Sequence, residues 1–123
     1  MKDAIRRRGE NISSFEVEKE VLAHDDVRDC AVVAVPSEFG EDEVMAVLSL
    51  VPGREVDLPA LVEFLTPRLA HFMVPRFFRI LPDLPRTPTQ KVQKHLLRSA
   101  GITADTWDRE RAGIRLKRQR LSA

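Results

Sequence analysis

The stretch Leu84-Pro85-Arg86-Thr87-Pro88-Thr89-Gln90-Lys91-Val92-Gln93-Lys94 carries the residue type best suited to chemistry on an anion. Pro82, Pro85 and Pro88 restrict this loop, because each proline fixes its own φ. A loop stiffened in this way holds the Lys91 ammonium at a defined place, where it suits a phosphate or a carboxylate. On residue pattern alone the same lysine also reads as the opening of a surface helix, pointing into water as most lysines do. Two further polar clusters fall on expected loops. In Arg6-Arg7-Arg8-Gly9-Glu10-Asn11, a glycine lets backbone N–H groups approach a ligand while guanidinium groups meet its phosphates. In His71-Phe72-Met73-Val74-Pro75-Arg76, an aromatic ring next to a cation suits a purine and a phosphate. The plainer readings stay open for both: a solvated basic turn, and a core phenylalanine beside a surface arginine.

Other chemistries find no support. His24, His71 and His95 have no partner at ligand spacing and there is one cysteine, so no metal site is read. No phosphate-binding P-loop, dinucleotide fingerprint or serine nucleophile elbow occurs. With 20 Lys and Arg against 19 Asp and Glu, the formal net charge of +1 lacks the basic excess of a nucleic-acid binder. A single Cys30 excludes an intrachain disulfide and points to a reducing compartment. It lies in an apolar run and reads as a small core residue. No apolar run approaches a membrane span, and the N-terminus has no hydrophobic signal core, so a cytoplasmic location is expected.

The elements that must position these clusters fit one domain of 123 residues, small for a complete two-substrate enzyme. A short N-terminal hairpin or turn ends near Gly9. Ser13 and Glu16 have capping-box spacing, so a helix is expected from there to about His24, burying Phe15, Val17, Val21 and Leu22. Val27 to Val35 reads as a strand apolar enough to be central, and Glu43 to Val51 as the next. Asp57 is an N-cap candidate for a helix from Leu58 to about Ala70, which Pro67 should kink or shorten. Arg76 to Leu81 gives a third strand, and a last helix should run from about Lys91 to Ala100, stopped by Gly101. The expected fold is α+β: a small three-stranded sheet flanked by about three helices. Residues 1–101 form the domain, and 102–123 a charged tail that includes Trp107 and the basic run 115–120.

The order of the clusters is more specific than any one of them. From Lys2-Asp3 to about Arg98, the chain resembles the small C-terminal domain of the adenylate-forming acyl-CoA synthetases, which catalyse reactions through an acyl-adenylate. Arg8-Gly9-Glu10-Asn11-Ile12-Ser13-Ser14-Phe15-Glu16-Val17-Glu18 resembles the family's hinge-proximal loop and first helix. Val27 to Pro36 resembles its central strand, Glu41 to Val47 the segment after it, and Pro85 to Lys94 its closing lysine motif. Within the family, the run Arg6 to Ser14 is most similar to crotonobetaine/carnitine-type CoA ligases. One departure stands out: the family usually has glycine before the lysine, where this chain has Gln90.

The resemblance implies a two-step reaction. A carboxylate and ATP form an acyl-adenylate and pyrophosphate; the domain then rotates, and the CoA thiolate displaces AMP. Lys91 would enter the active site in the first step. Lys2 and Asp3 would be the hinge. Arg8, Gly9, Glu10, Phe39, Phe72 and Arg76 would line the CoA channel or contact its nucleotide. ATP and CoA are implied as substrates, with Mg2+ accompanying ATP but not bound by this domain. The implied partner is a large N-terminal adenylation domain that also selects the carboxylate, so the chain reads as an excised domain or a naturally split gene product, inactive alone. Its uncovered face suggests a dimer. A different class of function stays open, a free-standing CoA- or protein-binding module without catalysis. RNA or lipid binding by the 115–120 run is a third reading, and it would show steep salt dependence.

Overall fold

The structure is a computed structural model, and it describes residues 4–7, 10–36 and 42–114. β1 (Ala4–Arg7) and β2 (Glu10–Ser13) form an antiparallel hairpin in which Ile5 faces Ile12. Both isoleucines are buried and tie the hairpin to the main core. Ser13 then caps α1 (Ser14–Leu22), its hydroxyl accepting the Glu16 N–H at 3.4 Å. One such cap stabilises a helix by about 1 kcal/mol. The buried face of α1 is Ser14, Val17 and Val21, at i, i+3 and i+7. Phe15 and Leu22 were expected inside, yet Phe15 is 67% exposed and Leu22 44%. They lie one heptad apart, on a second stripe that the core side of the helix leaves outside.

A four-stranded sheet follows, in the order β3 (Val27–Pro36), β4 (Asp42–Leu50), β5 (Phe77–Ile80), β6 (Trp107–Asp108). β4 pairs antiparallel with β3 and parallel with β5, and β6 runs antiparallel to β5. The apolar run expected to be central, β3, is an edge strand; β4 is flanked on both sides and is buried from Glu43 through Ser49. An apolar run reports that both faces are covered, and does not report whether both edges are paired. Alternation splits the core accordingly. Val32, Ala46, Leu48 and Phe78 join one side, and Ala31, Val33, Met45, Val47 and Phe77 the other. Cys30 is half-buried against the first side, where burial first, and then the Glu18 carboxylate, push its thiol well above the ordinary range.

α2 (Leu58–Leu65) begins with Pro59 in its first turn and buries Leu61, Val62 and Leu65. It stops at Thr66 rather than Ala70, because Pro67 cannot donate the next N–H. A turn carries Leu69 back into the core through its N–H to the Leu65 carbonyl, and a single 3-10 turn spans His71–Met73. α3 (Lys94–Ala100) is three residues shorter at its start than expected, and ends at Gly101 with φ 61°.

The fourth strand comes from the segment read as a tail. Trp107 pairs with Phe78, their ring centroids 5.8 Å apart, and Arg109 is buried, donating to the Pro75 carbonyl at 3.1 Å. The sheet therefore has four strands, and the packed part of the chain extends past residue 101. The basic run 115–120 lies outside the described residues. Among the described residues no helix is long and apolar enough to cross a membrane.

Candidate functional site

The expected helix start at Lys91 is replaced by a small hairpin that carries the lysine. Arg86 and Val92 form an antiparallel bridge, and the Gln93 N–H donates to the Pro85 carbonyl at 2.8 Å. Inside this, the Thr87 N–H donates to the Lys91 carbonyl at 2.9 Å, and the Gln90 N–H to the Thr87 carbonyl at 2.8 Å. The Lys91 N–H is taken up by the Thr87 hydroxyl at 3.1 Å, which also lies 3.0 Å from the Thr89 hydroxyl. The loop Pro88-Thr89-Gln90 has the form of a three-residue hairpin loop, with proline early and a left-handed residue last. That last residue is Gln90, at φ 70°. It stands where glycine is usual, and it keeps the left-handed turn without one.

The Lys91 side chain is exposed, and no described residue hydrogen-bonds or pairs with its ammonium. The loop beneath it is held firmly. Leu84, Val92 and Leu97 pack on the second side of the core with Ala31 and Val33 of β3. Arg86 reaches Asp29 at 3.1 Å and Asp83 at 3.1 Å, and Arg28 reaches Asp83 at 3.4 Å and the Pro82 carbonyl at 3.3 Å. At the far end, Lys94 pairs with Glu18 at 2.7 Å, and Glu18 also accepts the Val32 N–H of β3 at 2.8 Å. What results is an exposed ammonium on a backbone whose hydrogen bonds close internally, an arrangement suited to meeting an anion from another body.

The other expected contacts are distributed differently. Arg76 is 7% exposed and sits inside the fold. Its Nε and Nη2 clasp Asp108 at 3.0 and 3.1 Å, with Glu43 at 3.8 Å and Glu110 at 3.6 Å, and it lies over the Phe77 ring. Burial works to raise the Asp108 carboxyl. The hydrogen bonds and charge of Arg76, with the Glu110 N–H, outweigh burial and hold it below the ordinary carboxylate range. Arg76 was expected to contact the CoA nucleotide; here its guanidinium is buried and paired with carboxylates of the fold. Phe72 is half-buried against the first side of the core, its ring 5.7 Å from His71. It therefore packs on the opposite side of the sheet from the Lys91 loop. Glu10 is placed by its backbone in β2, opposite Arg7. Lys2, Asp3, Arg8, Gly9 and Phe39 lie outside the described residues. Among the described residues no group of three His, Cys, Asp or Glu side chains could hold a metal ion.

Comparison with known proteins decides the family. The model of the AMP-binding enzyme C-terminal domain matches residues 16–91. The chain belongs to this family. It is 40% identical over 99 residues to the 2-methylpropanoate–CoA ligase of Humulus lupulus, covering 79% of this chain and 18% of that protein. It is also 40% identical over 99 residues to the medium-chain fatty-acid–CoA ligase of Escherichia coli K12, again covering 79% of this chain and 18% of the relative. The crystal structure of Brucella canis acyl-CoA synthetase superposes with a TM-score of 0.74 at 35% identity, over 80% of this chain and 19% of that one. The chain thus spans about a fifth of the length of the relatives it matches. It is similar to the C-terminal part of larger adenylate-forming ligases, and residues 16–91 include the Val27–Pro36 and Glu41–Val47 motifs and Lys91 itself.

Sequence reasoning missed the supports of the AMP-binding C-terminal domain's lysine loop. The hydroxyl of Thr87 was not singled out, and nothing near Asp29 or Glu18 in the sequence marks them as partners of Arg86 or Lys94. These contacts exist only once α1, β3 and the loop have packed.

Proposed function

We propose that this chain is the mobile lid of an ATP-dependent acyl-CoA ligase, converting a carboxylate, ATP and CoA to acyl-CoA, AMP and pyrophosphate, and inactive without its large N-terminal domain. The observation that carries the reading is the exposed Lys91 ammonium, without a partner among the described residues, at the tip of a hydrogen-bonded hairpin. In the first step Lys91 bridges the carboxylate and α-phosphate oxygens. Two anions must approach there, and a cation held in a water-poor site lowers their repulsion. Lys2 and Asp3 act as the hinge, and the turn around Arg8, Gly9 and Glu10 lines the pantetheine channel in the second step. Phe39 and Phe72 are the aromatic candidates for CoA contact, and Arg76, paired inside the fold, is the basic one.

Mg2+ travels with ATP and is held by the large domain, which also selects the acyl group. Within this chain, the similarity of Arg6 to Ser14 to crotonobetaine/carnitine-type ligases is the one lead to that group. Offering the full-length enzyme carnitine, crotonobetaine and medium-chain fatty acids tests it. The reaction fits a cytoplasmic setting.

The reading is tested by joining the chain to its large domain and measuring pyrophosphate release. Lys91→Ala is expected to lower that half-reaction by about a hundred- to a thousandfold, the cost of losing one transition-state charge contact. Thioester formation from pre-made acyl-adenylate should persist. An undiminished adenylation rate would end the catalytic role of Lys91. A stand-alone binding module would instead hold CoA with no help from the large domain.

A further inference from the structure

Two ion-pair ties bracket the Lys91 hairpin, one running to β3 and the other to α1. At its base, the Arg86 guanidinium spans Asp29 of β3 and Asp83 of the loop, each at 3.1 Å. At its exit, the Lys94 ammonium meets Glu18 of α1 at 2.7 Å and Ser14 of α1 at 3.4 Å. The same Glu18 oxygen accepts the N–H of Val32, so one carboxylate joins helix α1, the edge of β3 and the first residue of α3. The two ties differ in burial. The Arg86 and Asp29 side chains are 22% and 33% exposed, while Lys94 and Glu18 are 18% and 14% exposed. Exposed pairs contribute little to stability, and a pair closer to the interior contributes mainly geometry once its hydrogen bonds are satisfied.

That geometry bears on the hairpin. The turn's own hydrogen bonds fix its shape, yet they say nothing of how it is aimed relative to the rest of the domain. The aim is set by what grips residues 86 and 94: Arg86 is held to β3 through Asp29, and Lys94 to α1 through Glu18, whose carboxylate also accepts the Val32 N–H of β3. We propose that Glu18 and Lys94, with Asp29 and Arg86, are positioning residues that aim Lys91 for the adenylation step. The inference rests on the proposed role of Lys91. None of the four need touch the substrate. Their loss would let the hairpin tilt, and a displacement of about 1 Å at a reacting group can cost as much as a hundredfold in rate.

The test uses the full-length enzyme, with the two half-reactions measured separately. Arg86→Ala and Lys94→Met are expected to lower kcat for pyrophosphate release by about ten- to a hundredfold. The KM for ATP and thioester formation from pre-made acyl-adenylate should stay within about twofold of the parent. Lys94→Arg, which keeps a donor for Glu18, should recover most of the rate, as should Arg86→Lys relative to Arg86→Ala, since it keeps a cation between Asp29 and Asp83. Adenylation that stays at the parent rate in Arg86→Ala and Lys94→Met overturns the inference. So does a parallel fall of both half-reactions, since a general loss of folding does that. Lys91→Ala run alongside separates the two claims. If it spares adenylation, the catalytic reading fails; if it abolishes adenylation while Arg86→Ala and Lys94→Met do not, only the aiming role fails.

Discussion

Two cations follow proline-bounded loops in this chain, Arg76 behind Pro75 and Lys91 behind Pro88, and the fold treats them in opposite ways. Arg76 enters the sheet. Its N–H bonds the Val44 carbonyl, its carbonyl accepts the Arg109 N–H, and its guanidinium is enclosed by carboxylates from β4 and β6. Lys91 sits on a hairpin that satisfies its own backbone, so nothing draws the side chain inward. The preceding proline does not decide the fate of either cation. Carboxylates do, and they are brought in by strand neighbours remote in the sequence. A structural cation is recognised by being enclosed, and a candidate functional one by being held at the backbone and free at the tip.

The sharpest way to break this contrast is to truncate both. Arg76→Ala takes this cation from the buried Glu43 and the half-buried Asp108, and removing one partner of a buried pair typically costs about 3–5 kcal/mol. Denaturant unfolding should show that loss, with the unfolding midpoint falling at unchanged slope. Lys91→Ala should leave the same transition within about 0.5 kcal/mol of the parent, as for other surface changes, while removing adenylation. A stable Arg76→Ala chain, or an unstable Lys91→Ala chain, would reverse the two assignments.

How much of this contrast was legible in the sequence follows from where its causes lie. The α+β class, the helix capped by Ser13, both long strands and the lysine loop itself were readable, because their signals are local: capping spacing, apolar runs, prolines. The burial of Arg76 was not, since it depends on Asp108. That residue lies in a segment of charged composition that reads as a tail. Two residues of β6 add only a short strand, and the segment is held by Trp107 against Phe78 and by the buried Arg109 more than by any run of apolar residues. Likewise β3 reads as central, and its edge position emerges only from pairing order.

A pH titration probes the Arg76 side of the comparison more gently. The Asp108 carboxyl is held below its ordinary range in the fold, because Arg76 and the Glu110 N–H outweigh its burial. A group with a lowered folded pKa contributes stability that is present above its unfolded value, about 3.9 for Asp, and is lost as pH falls through the lower folded value. The groups facing Arg76 are Glu43, Asp108 and Glu110; through Asp108 the clasp should hold at neutral pH and loosen in acid. Trp107 is the sole tryptophan and the immediate neighbour of Asp108, so its fluorescence should report the release of β6 below about pH 4. In Asp108→Asn the neutral-pH protein should be less stable, and the acid dependence of that signal weaker. An acid transition unchanged by the substitution would place the stabilising titration elsewhere.

The smallest effect belongs to the Lys91 side, at Gln90. Its φ of 70° is a left-handed conformation, which costs an L-residue roughly 1–2 kcal/mol in a helical context and glycine almost nothing. Glycine there would remove that cost but enlarge the freedom of the unfolded chain, an opposing effect of about 0.4–1 kcal/mol. The two nearly cancel, so Gln90→Gly should shift stability by less than about 1 kcal/mol. Gln90→Val should cost more, about 1–2 kcal/mol, because a β-branched side chain tolerates positive φ poorly. The instructive readout is adenylation rather than stability. The Gln90 N–H closes the turn onto the Thr87 carbonyl, and Lys91 is the next residue. If the ties at Arg86 and Lys94 aim the hairpin, a looser peptide at residue 90 should change the rate little. Should Gln90→Gly alone lower adenylation as far as Arg86→Ala does, the turn itself, and not its anchoring to β3 and α1, would be what holds Lys91 in place.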